Sequence, residues 1–214
     1  MKIFVFSGLG ADKRAFTAID FSGYEVKHMD WIDPLPKEKL EDYVIRLAET
    51  HHLPKSGAAV IGVSFGGMCI CELAKSYTFQ KIVLISTAKS KNELPQDGFW
   101  SFLAPLANLI PGKMLTKPNS LLFKTFGVTE QKDKDLLANI IRDTDPKFLK
   151  WAMGAIRHWE NITEPKEFFH VHGTEDRVVP FKNVKQVIPI MDGGHFMVLN
   201  RGDEISQLIR SYLD

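Results

Sequence analysis

Gly62-Val63-Ser64-Phe65-Gly66 decides the reading of this chain. It follows the apolar run Ala58-Ala59-Val60-Ile61 and opens the run Gly67-Met68-Cys69-Ile70-Cys71-Glu72-Leu73-Ala74. The order reads as strand, tight turn, helix. A chain that reverses this sharply accepts only small residues two before and two after the turn. The serine oxygen is then lifted clear of the sheet, with the N-terminus of the next helix aimed at it. A plainer reading makes Ser64 a helix cap in a glycine-rich turn. The two readings differ in what they demand of the rest of the chain. A nucleophile needs an acid and then a histidine further along, each just after a strand. A cap needs nothing.

Both partners are present. The strand-like run Glu167-Phe168-Phe169-His170-Val171-His172 leads into Gly173-Thr174-Glu175-Asp176-Arg177-Val178-Val179-Pro180. A second strand-like run, Lys185 to Ile190, leads into Met191-Asp192-Gly193-Gly194-His195-Phe196. The order is therefore Ser64, Asp176, His195. With its H-G-x-x-D-x-x-V-P and G-G-H segments, the chain resembles the α/β-hydrolase superfamily over nearly its whole length. The resemblance puts the acid at Asp176 rather than at its neighbour Glu175. Asp192 sits in a Met-Asp-Gly-Gly setting and reads as a turn residue.

The N-terminal run Lys2-Ile3-Phe4-Val5-Phe6 reads as a buried strand, followed by Ser7-Gly8-Leu9-Gly10-Ala11-Asp12. In the family a glycine-containing loop here gives one amide to an oxyanion hole. The resemblance implies the amides of Leu9 and Phe65 as donors. Two departures from the common pattern stand out: Ser7 and Val63 occupy positions where many members carry histidine.

The chemistry explains the residue types. A serine hydroxyl is a poor nucleophile until a neutral imidazole takes its proton. A carboxylate on the other ring nitrogen fixes the tautomer and stabilises the imidazolium. Aligned amides stabilise the oxyanion, each contributing about 100- to 1,000-fold in rate. The implied activity is hydrolysis of a small or medium carboxylic ester or thioester through an acyl-enzyme. The same triad also serves cofactor-free lyases, C–C hydrolases and perhydrolases. A lyase would place an extra charged residue in the cap, where Arg157 or Lys113 is available. A receptor-like binding module is the non-enzymatic alternative.

Composition narrows the rest. The 214 residues suffice for one domain with a sizeable core, and 44% are apolar, including fifteen Phe. The net charge of +1 makes no electrostatic case for nucleic acid or an anionic membrane. The apolar stretch Phe99 to Ile110 is broken by Ser101, Pro105 and Asn108 and is too short to span a bilayer. The N-terminus reads as a strand rather than a signal peptide. Cys69 and Cys71 lie two apart on the predicted helix, about 200° around it, so their thiols diverge. Both read as core residues, and the cytoplasm is the expected location. His170 and His172 share a strand face, but no third ligand accompanies them. The expectation is no metal, no cofactor, and a small-molecule substrate as partner.

Strand patterns fall at 2–6, 24–28, 58–63, 81–86, 167–172 and 185–190, and helical patterns at about 12–19, 37–51, 65–77 and 202–213. The alternation predicts a mostly parallel sheet of about six strands with helices on both faces. The N-terminal hairpin common in the superfamily is expected to be missing. Residues 89–163 break the alternation and carry no strand pattern. They read as a helical cap inserted within a single domain spanning 1–214. Trp100, Phe102, Phe123, Phe126 and Trp151 are its candidate substrate-binding residues, with packing of the cap as their plainer role.

Overall fold

The strand runs number six, and the three central ones are apolar on both faces, as strands covered on both sides must be. The six runs form β1 (Lys2–Phe6), β2 (Glu25–His28), β3 (Ala59–Val63), β4 (Lys81–Ile85), β5 (Phe169–Gly173) and β6 (Ile188–Ile190). The computed structural model describes residues 1–95 and 111–214. The sheet order is β2-β1-β3-β4-β5-β6, and every pairing is parallel. Phe4, Phe6, Val60 and Leu84 face one core, and Ile3, Val5, Ile61, Val83 and Ile85 face the other.

Helices cover both cores. α1 (Leu40–Thr50) buries Leu40, Tyr43, Val44, Leu47 and Ala48, one stripe at helical spacing. α2 (Phe65–Leu73) is buried along its whole length. Four helices lie between β4 and β5 among the described residues: α3 (Gly112–Leu115), α4 (Ser120–Phe126), α5 (Gln131–Asp143) and α6 (Pro146–Arg157). No strand falls in the described part of that segment. α7 (Met197–Asn200) and α8 (Gly202–Leu213) close the chain against the second core.

Several predicted boundaries move, each for a nameable reason. The helix expected from residue 37 starts at Leu40, because Lys37 has φ 61°, outside helical space. The helix expected over 12–19 is a short 3₁₀ turn, Lys13–Phe16, opened by the Asp12 carboxylate accepting from the Arg14 amide at 2.9 Å. β6 is only three residues long. The Lys185 amide donates to Glu93 Oε1 at 3.1 Å, and the Lys185 carbonyl accepts from Lys89 Nζ at 2.9 Å. Neither is free to join the ladder.

Those contacts belong to the root of the segment between β4 and β5. Lys89 is fully buried, and its ammonium also donates to Glu93 Oε1 at 2.6 Å. Glu93 Oε2 accepts the Lys89 amide at 2.8 Å. At the other end, Asn161 Nδ2 donates to Lys89 O at 3.0 Å and Asn161 O accepts from the Lys91 amide at 2.8 Å. The chain thus leaves the sheet and returns to it at one point.

The strand order fixes where a site can form. From β1 the chain winds outward to β2, then crosses back to β3 on the other side. The reversal opens a crevice at the C-terminal ends of β1 and β3, where open α/β sheets bind ligands. Ser7 to Gly10 follows β1, and Ser64 follows β3.

Candidate active site

Ser64 stands in a conformation that L-residues avoid, with φ 52° and ψ −118°. Its neighbours make the turn possible. A Cβ on Gly62 would lie 2.7 Å from backbone atoms of Gly66 and Gly67, and one on Gly66 would lie 2.4 Å from Phe6 O. The elbow is braced on both sides. The Ser64 amide donates to Ile85 O at 2.9 Å, and Thr87 Oγ1 donates to Ser64 O at 2.6 Å. The Ser64 side chain makes no capping bond to α2, so the plainer reading of this serine fails.

Its hydroxyl instead meets His195 Nε2 at 2.9 Å. His195 Nδ1 lies 2.8 Å from Asp176 Oδ2. A carboxylate only accepts, so the Nδ1 proton belongs on the Asp176 side and Nε2 is left to accept from Ser64. Asp176 is buried and its Oδ1 accepts the amides of Val178 and Val179 at 2.8 and 2.9 Å. Glu175 is exposed, and its amide donates to Gly193 O. Asp192 is an exposed turn residue with φ 58°.

Behind Asp176 lies a pair of histidines. His172 Nε2 sits 2.8 Å from Val179 O and 3.4 Å from Asp176 Oδ2, and His172 Nδ1 sits 3.4 Å from His170 Nε2. His170 Nδ1 has no hydrogen-bond partner among the described residues. Burial pushes the His170 imidazole well below its ordinary value, and His172 is lowered for the same reason. Both rings stay neutral in the folded chain at pH values where the unfolded chain takes up protons. Stability is therefore lost as pH falls below about 6.5, the ordinary histidine value. Urea midpoints should drop from pH 7 to pH 5, and His170→Leu should shrink that drop. An undiminished drop in the variant would acquit His170.

Ser64 and His195 open onto a cavity of about 460 Å³, inside the roughly 300–1,000 Å³ usual for small-molecule sites. Leu122, Leu137, Ile140, Ile141, Leu149 and Met153 make its apolar wall. Gly8, Leu9 and Thr144 border it near Ser64, and Lys117 and Asn119 supply its other polar groups. Leu9 and Phe65 donate their amides to no carbonyl among the described residues.

The aromatic candidates divide. Phe126 lines the cavity, its ring edge-on to His195 with centroids 5.4 Å apart. Phe123 packs against the second core, and Trp151 against Tyr43 and Phe65, its Nε1 donating to Glu38 O at 2.8 Å. Neither lines the cavity. Trp100 and Phe102 lie outside the described residues. Composition could not separate these roles, because an aromatic facing a pocket and one facing a core look alike in sequence. Thr87 and Thr144 carried no motif; the one available signal was Thr87's place just past the C-terminal end of β4.

The sequence model of the alpha/beta hydrolase family matches residues 3–208. The chain belongs to that family. Solved structures agree on the fold of this hydrolase. An esterase from Exiguobacterium antarcticum superimposes with a TM-score of 0.77 at 17% identity, covering 99% of this chain and 91% of its own. An enol-lactonase from Burkholderia xenovorans gives 0.78 at 17%, covering 99% and 90%. A 2-hydroxy-6-oxo-6-phenylhexa-2,4-dienoate hydrolase from a Rhodococcus strain gives 0.70 at 15%, covering 99% and 90%. No curated protein matches the chain.

Among the described residues, no helix of the hydrolase is long and apolar enough to cross a membrane. Among them too, no cluster of three or more His, Cys, Asp or Glu is placed to hold a metal ion. Cys69 and Cys71 are free and buried, and burial raises both thiols well above their ordinary value.

Proposed function

We propose that this hydrolase cleaves a small or medium carboxylic ester or thioester with an apolar acyl group. The observation that carries the reading is the 2.9 Å contact between Ser64 Oγ and His195 Nε2 at the wall of an apolar cavity. Ser64 attacks the ester carbon as His195 takes its proton. Asp176 holds the ring and offsets its positive charge. The amides of Leu9 and Phe65 receive the oxyanion. His195 then protonates the leaving alcohol or thiol, and water repeats the sequence on the acyl-enzyme.

Apolar walls support an acyl group over a charged substrate. Arg157 and Lys113, the cations named for a lyase, are exposed and do not line the cavity, whose charged lining residue besides His195 is Lys117 among the described residues. The test is turnover of p-nitrophenyl acetate, butyrate, octanoate and palmitate. Activity should peak at an intermediate chain, since the cavity exceeds what acetate fills and is small for palmitate. Leu149→Trp should move the peak toward shorter chains. No turnover of any ester, together with no labelling of Ser64 by a fluorophosphonate, would overturn the reading.

A further inference from the structure

Thr144 lies in the turn after α5, between Asp143 and Asp145, with nothing in its sequence to mark it. Its Oγ1 donates to Gly10 O at 2.7 Å and lies 2.9 Å from Ile140 O. Gly10 has φ +66°, and a Cβ there would stand 2.3 Å from the Thr144 methyl. The contact is tight, and it joins the segment between β4 and β5 to the loop after β1.

The consequence runs along the loop's peptide planes. Gly10 O and Ala11 N–H belong to one peptide. The Ala11 amide donates to Gly8 O at 3.0 Å. Gly8 O and Leu9 N–H belong to the next plane in the series. All peptides here are trans, so each N–H points opposite to the C=O of its own plane. Holding Gly10 O therefore directs Ala11 N–H onto Gly8 O. Holding Gly8 O directs Leu9 N–H the other way, and Gly8 and Leu9 both border the cavity with Ser64. Other contacts hold the loop without entering this series. Ser7 Oγ and Trp31 Nε1 both donate to Ala11 O, at 2.5 and 3.0 Å. Arg14 pairs with Asp12 and with Asp143 Oδ2 at 2.8 Å, a second tie between the same two segments.

We propose that Thr144 is a positioning residue for the oxyanion hole. It heads a hydrogen-bonded series from its hydroxyl through the Gly10–Ala11 peptide and the Gly8–Leu9 peptide to the Leu9 amide. Successive hydrogen bonds in such a series polarise one another, so the hydroxyl both aims and strengthens the donor at its far end. The inference rests on the ester-hydrolase reading, since it acts on a donor that the reading employs.

The test compares Thr144→Val, which keeps the shape and loses the hydroxyl, with Thr144→Ser, which keeps the hydroxyl. Expected for Thr144→Val is a kcat lower by roughly 10- to 100-fold, the range for a misaimed oxyanion donor, with KM within about twofold. Affinity for an alkyl boronic acid, whose tetrahedral adduct carries the oxyanion, should fall in parallel. Thr144→Ser should restore both. Thermal unfolding of each variant separates this from a loss of fold, and if Thr144→Val does not fold, Thr144→Ala against Thr144→Ser carries the same comparison. A Thr144→Val enzyme with unchanged kcat and boronate affinity would overturn the inference. So would a Thr144→Ser enzyme as impaired as Thr144→Val, since keeping the hydroxyl would then not keep the oxyanion hole. Failure of the underlying reading looks different: wild-type protein would then carry no fluorophosphonate label on Ser64.

Discussion

Ser64→Ala folds as the wild type does and loses at least about 10⁴-fold in kcat, with ester binding retained. The size follows from losing the nucleophile of a cooperating set, whose other members contribute little alone. Retention of the fold follows from what the side chain does not do. Among the described residues, its hydroxyl caps no helix and bonds only to His195. The left-handed backbone is held by contacts at Ser64 N and Ser64 O, which alanine keeps. The stability change is that of one hydrogen bond, about 1 kcal/mol. Steady-state kinetics with a thermal scan checks both halves. Near-normal turnover in the variant would remove Ser64 from the chemistry. Unfolding would mean that the serine is structural.

The second large effect is on stability, at Lys89 and Glu93. Lys89→Met alone leaves a buried carboxylate without its cation. Glu93→Gln alone leaves a buried ammonium facing Lys185 O and the Phe168 ring. Each should cost about 3–5 kcal/mol, the range for stranding one charge of a buried pair. At this chain length each kcal/mol lowers Tm by roughly 2–4 °C, so either single variant should melt about 10 °C early. The double variant removes both charges, and the one oxygen that glutamine keeps still accepts one of the two amides, Lys89 or Lys185. It should therefore be more stable than either single variant. Thermal melts of the four proteins measure the coupling. Additive losses would mean that the pair is not acting as a pair.

The parts of this molecule that sequence shows are those written in short stretches. The elbow, the acid turn and the histidine turn each sit on one strand and the few residues after it. Their order, with the family resemblance that favours Asp176 over Glu175, points to Ser64, Asp176 and His195. β6 is shorter than its pattern suggests, because Lys185 before it bonds to Glu93, ninety-two positions away, and no local pattern encodes that. Lys89 and Glu93 sit in a stretch, Lys89-Ser90-Lys91-Asn92-Glu93, that looks like solvated surface. Burying both charges is possible only because each supplies the other's counterion. Phe126 lies on α4 and Trp151 on α6, both between β4 and β5, and the packing of α6 against α1 sends Trp151 to the core. Thr144 is the extreme case: its partner is a carbonyl, and a backbone oxygen leaves no trace in sequence.

The closed root between β4 and β5 bears on how such a molecule can change. Asn161 ties the returning chain to Lys89 and Lys91, so the sheet registers only that the loop is shut. Lengthening a flexible loop twofold costs only about 0.6 kcal/mol. Residues 94–158 are in that sense a cassette: exchanged for a longer or shorter one, they would leave Glu93, strand register and triad spacing alone. What an exchange would forfeit is reach, because Phe126 against His195 and Thr144 against Gly10 are delivered from inside the cassette. Selection for a new substrate could therefore redraw the pocket cheaply, provided each replacement again touched the histidine and the glycine loop.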